Sequence, residues 1–192
     1  MARAALSTDA VVDLALHLVD DEGPAALTLA AVASCAGVAT PSLYKHIRSL
    51  AELRALLSVR IADQLTERIR AAVLGRSADE AIRALMLAWR GYVLEHPHRY
   101  ATVSQAAEPP AAQAAVRLVD VMLAALRAYG LEHSDAIHAA RCLRAAVHGF
   151  AVLEVENGFQ LPEKVDDSYE LLIQTIVAGL RTPPPRPLTP VR

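Results

Sequence analysis

The chain has 192 residues, a formal net charge of −2, and a composition that is 54% hydrophobic but only 4% aromatic. This length can hold one large domain or two small ones, and the near-neutral charge says little about partners and does not by itself indicate nucleic-acid binding. Apolar residues recur at helical spacing, and no convincing alternating strand pattern occurs. We therefore predict an all-α protein of about nine helices.

The chain shows no sequence signal for export or membrane insertion. Its N-terminus has no apolar core before the first acidic residue, and no run of about eighteen apolar residues lacks charges. Cys35 and Cys142 lie within helical patterns and are expected to be buried free thiols in a reducing compartment. These features predict a soluble, cytoplasmic protein without a membrane partner.

The first helix is predicted from Asp9 to Glu22, where apolar residues recur at helical spacing. Thr8 is expected to be its N-cap, with Ser7 as the alternative, and Gly23-Pro24 ends the run. The stretch from Thr28 to Ile47 then predicts two short helices joined by a tight turn.

The turn in that stretch is expected at Gly37, because glycine readily adopts the positive φ that closes a helix. Thr40 is expected to cap the second helix and Pro41 to open it, since proline needs no N–H partner there. The outward face of this second helix carries no acidic residue and consists of Ser42, Tyr44, Lys45, His46 and Arg48. A short helix with such a face can enter a DNA major groove.

The later helices are predicted from the same periodicity and from capping residues. They run from Ser49 to Leu74, from Ser77 to His96, through Tyr100 and Val103, from Pro109 to Gly130, from Ser134 to Gly158, and from Asp166 or Asp167 to Leu180. The fourth helix outgrows a three-helix head and leads into a second domain. We predict a helix-turn-helix DNA-binding domain at 1–50, a helical regulatory and dimerisation domain at 51–180, and a proline-rich tail at 181–192. The tail is expected to be disordered and solvated, with a peptide ligand for a partner as the alternative.

Five segments of the first half share their order and spacing with one known family: Leu-Val-Asp-Asp-Glu-Gly23, Leu-Thr-Leu-Ala-Ala-Val-Ala33, Ala-Gly-Val38, Ser-Leu-Tyr-Lys-His-Ile47 and Glu-Leu-Arg-Ala-Leu-Leu57. The first half thereby resembles the tetracycline-repressor (TetR) family of bacterial transcriptional regulators. Two positions depart from the family pattern, Ile47 where phenylalanine is usual and Leu50 where a phosphate-binding lysine is usual. Residues 1–50 also carry three basic and five acidic residues. DNA affinity would therefore depend on local placement of charge and on dimerisation.

The resemblance implies which residues meet DNA. Thr28, Tyr44 and His46 would reach backbone phosphates, with Arg48 beside them. The groove would be faced by Thr40, Pro41, Ser42 and Lys45, and Arg3 would be a candidate for the minor groove. The alternative is that Tyr44 and His46 only pad the following helix.

The second half is similar to a TetR ligand-binding domain subtype marked by a tryptophan and a His-Gly pair (WHG). The matching residues are Trp89, His-Pro-His-Arg-Tyr100, Ala-Val-His-Gly-Phe150 and Asn-Gly-Phe159. This likeness implies a pocket for a small apolar or amphipathic inducer, lined by Met86, Trp89, Tyr92, Tyr100, Gln105, Met122, Leu126, Cys142 and His148. Without the resemblance, the same residues also describe a plain helical core.

The last two helices are the expected homodimer surface. Gly149 and Gly179 would let a partner helix approach closely. The predicted interface residues, which would form a four-helix bundle with the second copy, are Gly149, Phe150, Leu153, Leu172, Ile176 and Leu180. The alternative is that these residues pack only within the chain.

These expectations combine into a ligand-responsive repressor that binds a palindromic operator in double-stranded DNA as a homodimer, without a cofactor. An enzyme or metal protein is the first rival, and its only candidate ligand cluster is His96, His98, Glu132, His133 and His138. That cluster lacks metal-ligand spacing. A helical ligand-binding adaptor without DNA binding is the second rival.

Overall fold

The computed structural model describes residues 6–104 and 109–182, with side chains for all of these except 104 and 109–115. Arg3, Gln105 and residues 183–192 of the predicted tail lie outside the described residues. The described part contains nine α-helices and no strand: α1 (Thr8–Glu22), α2 (Leu29–Ala36), α3 (Thr40–Leu43), α4 (Leu50–Val73), α5 (Ala78–Glu95), α6 (Pro97–Ser104), α7 (Pro109–Leu126), α8 (His133–Val155) and α9 (Val165–Leu180). The prediction of an all-α fold with an N-terminal helix-turn-helix is confirmed.

The chain divides into two compact units. The first unit covers Met1–Arg68 and Gly91–Leu118, and the second covers Ile69–Arg90 and Val119–Arg192. The helices α4, α5 and α7 each contribute residues to both units. The domain boundary expected at residue 50 therefore stays a prediction.

Side-chain caps define the starts of α1 and α4 in the first unit. The Ser7 Oγ accepts a hydrogen bond from the Ala10 N–H at 3.1 Å, so Ser7 rather than Thr8 is the N-cap of α1. The Ser49 Oγ accepts from the Glu52 N–H at 3.1 Å, as expected of a capping box at the start of α4. These bonds join residues three positions apart, which is why the sequence predicts them.

The core of the first unit is aliphatic. Val11, Ala15 and Val19 of α1 are fully buried, and so is Leu43 of α3. Ile47, the first departure from the family pattern, is 2% exposed and fills a core position just before α4. This packing holds α1 to α3 as a three-helix head at the start of α4.

The second unit buries larger side chains along α5, α7, α8 and α9. Its buried residues include Ile82, Leu85, Met86, Trp89, Met122, Leu126, Leu143, Val147, Tyr169 and Ile173. The start of α8 differs from the prediction, because Glu132 rather than Ser134 is its N-cap and makes no side-chain cap bond. The last helix, α9, begins at Val165, one residue before the predicted Asp166, and its N-cap, Lys164, makes no side-chain cap bond either. None of the described helices is long and apolar enough to cross a membrane.

Both cysteines are exposed, so the expectation of buried thiols is wrong. Helical periodicity placed each cysteine on a helix but did not fix the side it faces. Leu143, the next residue after Cys142, is fully buried. Because successive residues turn by about 100° around a helix, this neighbour faces inward while Cys142 faces solvent.

Candidate nucleic-acid interface and ligand residues

The turn between α2 and α3 has the geometry that the sequence predicts. Gly37 is in the left-handed region, with φ 63° and ψ 37°, and closes α2. The Thr28 Oγ1 accepts from the Ala31 N–H at 3.1 Å and caps the other end of α2. Thr40, in contrast, makes no cap bond, because Ala39 is the N-cap of α3 and Thr40 is already its first residue. The expectation that the Thr40 hydroxyl caps this helix is wrong.

Only the first part of the predicted second short helix is an α-helix in the structure. The α-helix α3 ends at Leu43, and the chain continues as a turn in which the N–H groups of His46 and Ile47 both donate to the Leu43 carbonyl. Tyr44 is 56% exposed in this turn. Of the other residues predicted to meet DNA, Thr28, Pro41, Lys45 and Arg48 are exposed, and Thr40, Ser42 and His46 are half-buried. Apart from Thr28, which precedes α2, the predicted contact residues thus lie in one short stretch, 40–48, where their side chains are exposed or half-buried.

The end of this stretch is tied to the start of α1. The Thr8 Oγ1 donates to the His46 carbonyl oxygen at 3.0 Å, across 38 positions of sequence. Thr8 therefore does not cap α1 but binds the backbone at the end of this stretch. This hydrogen bond fixes the backbone directly after Tyr44 and Lys45 against α1.

The positive charge of the stretch is smaller than the sequence suggests. The Arg48 guanidinium donates from Nε and Nη2 to the Glu52 Oε1, at 3.1 and 3.0 Å. The Glu52 carboxylate also accepts from the Arg48 N–H. These hydrogen bonds hold the pKa of Glu52 below its usual value, so the carboxylate stays ionised beside Arg48. Lys45 has no carboxylate partner among the described residues.

Acidic residues of α1 are paired by arginines from other helices. Arg60 of α4 reaches Asp9 at 2.8 Å and Asp13 at 2.5 Å. Arg99 of α6 binds both carboxylate oxygens of Asp20, at 2.7 and 2.5 Å. The excess of acid in residues 1–50 is thus offset by basic residues that lie beyond that segment in sequence.

Arg99 belongs to a polar network within the first unit. Its Nη1 donates to the Gln64 Oε1 at 3.1 Å, and the Tyr92 hydroxyl donates to the same oxygen at 3.2 Å. Burial raises the pKa of Tyr92 to about 12, so its hydroxyl stays protonated as a donor. The His98 Nδ1 lies 3.0 Å from the Asp20 carbonyl oxygen. The network connects α1, α4, α5 and α6.

The residues predicted to line a ligand pocket fall into three groups. Met86, Trp89, Met122 and Leu126 are buried in the second unit. Tyr92 and Tyr100 are buried in the first unit, where the Tyr92 hydroxyl joins the network of Arg99. His148 is half-buried, Cys142 is exposed, and Gln105 lies outside the described residues. A cleft of about 370 Å³ in the second unit is lined by none of these residues.

A buried arginine that the sequence analysis missed organises the second unit. Arg90 of α5 binds both carboxylate oxygens of Glu154 on α8, at 2.7 and 2.5 Å, and Asp166 on α9 at 2.7 Å. Its guanidinium carbon lies 4.7 Å from the ring centroid of Tyr169 and 5.9 Å from that of Phe150. The signal for this residue was a lone arginine inside the apolar run Leu-Met-Leu-Ala-Trp-Arg90. Its ionic and aromatic partners join α5, α8 and α9.

The predicted dimer residues differ in their exposure. Leu153 is 47% exposed, and Gly149, Phe150, Leu172, Ile176 and Leu180 are half-buried. The Phe150 ring contacts Phe159 and Tyr169 within the same chain, with centroids 4.7 and 4.9 Å apart. In the part of the chain that the structure describes, no atom lies within 4 Å of where a methyl group added at Gly149 or Gly179 would be.

In the ranges that the structure describes, no three histidine, cysteine or acidic side chains are placed to hold a metal ion. The rings of His96 and Tyr92 lie 5.1 Å apart in an edge-on contact. Within the first unit, His98 and His96 therefore face a backbone carbonyl and an aromatic ring.

The fold and the exposed turn after Gly37 define a helix-turn-helix DNA-binding protein. Two family models match the chain: the one for bacterial regulatory proteins of the tetR family matches residues 11–56, and the one for the tetracyclin repressor-like C-terminal domain matches residues 82–176. A regulator from Mycobacterium tuberculosis, Rv0681, described as an uncharacterized HTH-type transcriptional regulator, is 35% identical over 92% of this chain and 83% of its own length. The chain belongs to the tetR family of DNA-binding transcriptional regulators.

Solved structures share the fold. A protein of unknown function from Rhodococcus sp. RHA1 superposes with a TM-score of 0.80, at 23% identity, over 91% of this chain and 95% of that one. A TetR variant from Acinetobacter baumannii, crystallised with minocycline, gives a TM-score of 0.69 at 21% identity, over 93% of this chain and 99% of that one.

Proposed function

We propose that this regulator is a cytoplasmic, non-enzymatic repressor that binds a palindromic operator as a homodimer and leaves it when a small apolar or amphipathic inducer binds. The observation that carries the DNA-binding part is the accessible stretch after Gly37, with exposed Pro41, Tyr44 and Lys45 following the capped helix α2. In this proposal Lys45 and Ser42 face base edges, and Thr28, Tyr44 and His46 contact phosphates. Thr40, Pro41 and Arg48 complete the contact surface.

Two glycines support the homodimer. Glycine within a helix costs about 1 kcal/mol relative to alanine, so its use calls for a packing reason. Among the described residues, no atom would contact a methyl group added at Gly149 or Gly179, so they do not provide that reason. A helix of a second copy against α8 and α9 would provide it, with Leu153, Leu172 and Ile176 beside the glycines. Paired heads also match the two half-sites of a palindrome.

The inducer part rests on the second unit. We infer that it is of the WHG subtype, with Trp89 buried and His148-Gly149 on α8. The buried apolar residues around Trp89 would form the pocket when an inducer enters. Occupancy would then favour the state that does not span the operator, by as much as the inducer's affinities for the two states differ.

Binding to the DNA that flanks the coding region tests the proposal. Tyr44→Ala and Lys45→Ala are expected to weaken binding in an electrophoretic shift, while an exposed alanine changed on α4, Ala71→Ser, leaves it unaltered. Light scattering of the wild type is expected to give the mass of a dimer. The Gly149→Leu variant is expected to give the mass of a monomer, because the larger side chain would keep the partner helix away. Unaltered DNA affinity in both head variants, or a monomeric wild type at micromolar concentration, would contradict it.

A further inference from the structure

The arginines of the first unit are almost all paired with carboxylates. In the described residues of this unit, five arginines each bind at least one aspartate or glutamate: Arg48, Arg60, Arg68, Arg99 and Arg117. Arg54 is the one described arginine of the unit without such a partner, and its side chain is exposed. Surface arginines without an acidic partner are common, so the absence of a partner alone does not indicate a binding role. The position of Arg54 in the fold is what indicates one.

Arg54 lies in a narrow exposed window at the start of α4. Between Leu50 and Thr66, the first seventeen residues of this helix, Ala51 and Arg54 are the two exposed residues. They are three positions apart and therefore neighbours on the helix surface. Side chains on a helix lean toward its N-terminus, so the Arg54 stem lies over the first turn of α4. Ala51, beside it, leaves room for a partner to approach the helix closely.

This window continues the exposed stretch that meets DNA in the proposed function. Lys45, Arg48 and Ser49 are exposed and lead directly into α4. Arg48 forms an ion pair with Glu52. In the described structure, the two cations of this region that have no carboxylate partner are therefore Lys45 and Arg54. A guanidinium binds a phosphate through a planar fork of N–H groups.

We propose that Arg54 binds a backbone phosphate of the DNA duplex, next to the groove that the stretch around Lys45 enters. The contact carries no sequence information, because phosphates are the same at every step of the duplex. It rests on the DNA-binding function and adds to the positive charge of Lys45 a second one, on α4, that has no carboxylate partner in the described structure. Sequence reasoning missed it because Arg54 stands inside the apolar run Leu-Arg-Ala-Leu-Leu57, which reads as a buried helix.

The salt dependence of DNA binding tests the contact. Each lost phosphate contact makes the slope of log K against log salt less negative by about 0.9. Arg54→Gln should bind DNA more weakly than the wild type, and the ratio of the two affinities should fall as salt rises. Between about 50 and about 200 mM salt we expect this ratio to fall by about threefold for each DNA-binding head that contacts the duplex. The loss should be equal on an operator fragment and on a scrambled duplex, measured by fluorescence anisotropy. Arg54→Lys should keep most of the wild-type slope.

Two controls separate this contact from other effects. Arg76→Gln removes the same charge from an exposed site whose guanidinium donates to the Ala72 carbonyl, and it should leave the slope unchanged. Thermal unfolding checks that Arg54→Gln folds as the wild type does. An unchanged slope in Arg54→Gln, or an equal change in Arg76→Gln, would overturn the proposal. Absence of DNA binding by the wild type on both duplexes would instead remove the function on which it rests.

Discussion

Arg90 in the second unit and Arg99 in the first each bind both oxygens of a carboxylate in a part-buried pair, and the two arginines differ in their surroundings. In the second unit the Arg90 residue is 9% exposed, lies against two aromatic rings and has a second acid. In the first unit Arg99 has Asp20 and the neutral Gln64 as partners. The Asp20 side chain is 25% exposed, against 17% for Glu154.

The difference separates a packing role from a positioning role. Arg90 is enclosed by three helices, so its removal leaves the half-buried Glu154 carboxylate without its main partner and opens the aromatic cluster. Arg99 lies where water can replace it at Asp20, and what it fixes is the place of α6 beside α1. We therefore expect the second unit to lose more stability than the first when its arginine is removed.

The largest effect is expected for Arg90→Ala. Removing one partner of a fully buried ion pair costs about 3 to 5 kcal/mol, because the other charge is left uncompensated. Since 17% of the Glu154 side chain is exposed, we expect a loss near the lower end, about 3 kcal/mol. Urea unfolding measures the loss. Asp166→Ala is the matched control, since the Asp166 side chain is 83% exposed and its pair should contribute about 1 kcal/mol or less. Equal losses in the two variants would show that Arg90 has no special packing role.

A smaller effect is expected for Arg99→Ala. A hydrogen bond to a charged group is worth about 1.5 to 3 kcal/mol, and water at Asp20 recovers part of that value. A double-mutant cycle with Asp20→Ala measures the coupling between the two residues in the free energy of unfolding. A coupling near zero would mean that α6 is held to α1 by apolar contacts alone.

The smallest effect concerns His96, which precedes α6. Burial and the nearby Arg99 lower the pKa of His96, while Asp20 and Glu95 act in the opposite direction. The unfolded chain therefore binds more protons near and below the ordinary histidine pKa of about 6.5, and stability should rise with pH through this region. Urea unfolding at several pH values should show a weaker slope for His96→Asn than for the exposed-site control His138→Asn. A steeper slope in His96→Asn would reverse the sign of this argument.

Local hydrogen bonds account for what the sequence predicted well. The cap at Ser49 and the left-handed Gly37 depend on residues three or four positions apart. The failure at Thr40 is also local, because a neighbouring alanine can be the N-cap without a side-chain bond. Moving the N-cap by one residue, from Thr40 to Ala39, leaves the spacing of apolar residues in the helix unchanged, so the sequence does not distinguish the two positions.

Long-range pairs account for what was missed. Arg99 and Asp20 are 79 positions apart, and Arg90 and Glu154 are 64 apart. Charge counted over residues 1–50 omitted Arg60 and Arg99, which only the folded chain brings to α1. The exposure of the two cysteines was missed for a related reason. Helical periodicity places each cysteine on a helix, but which side of the helix is buried depends on the elements that pack against it. The DNA-contact and dimer residues stay predictions, because their partners lie outside this chain.

The two exposed cysteines give the molecule a built-in pair of reporter thiols. The chain has two cysteines, Cys35 on α2 in one unit and Cys142 on α8 in the other. A thiol reagent can therefore compare the head with the α8 surface in a single sample, without engineered sites. If a second copy covers α8, Cys142 should react more slowly as protein concentration rises, while Cys35 supplies the internal reference rate.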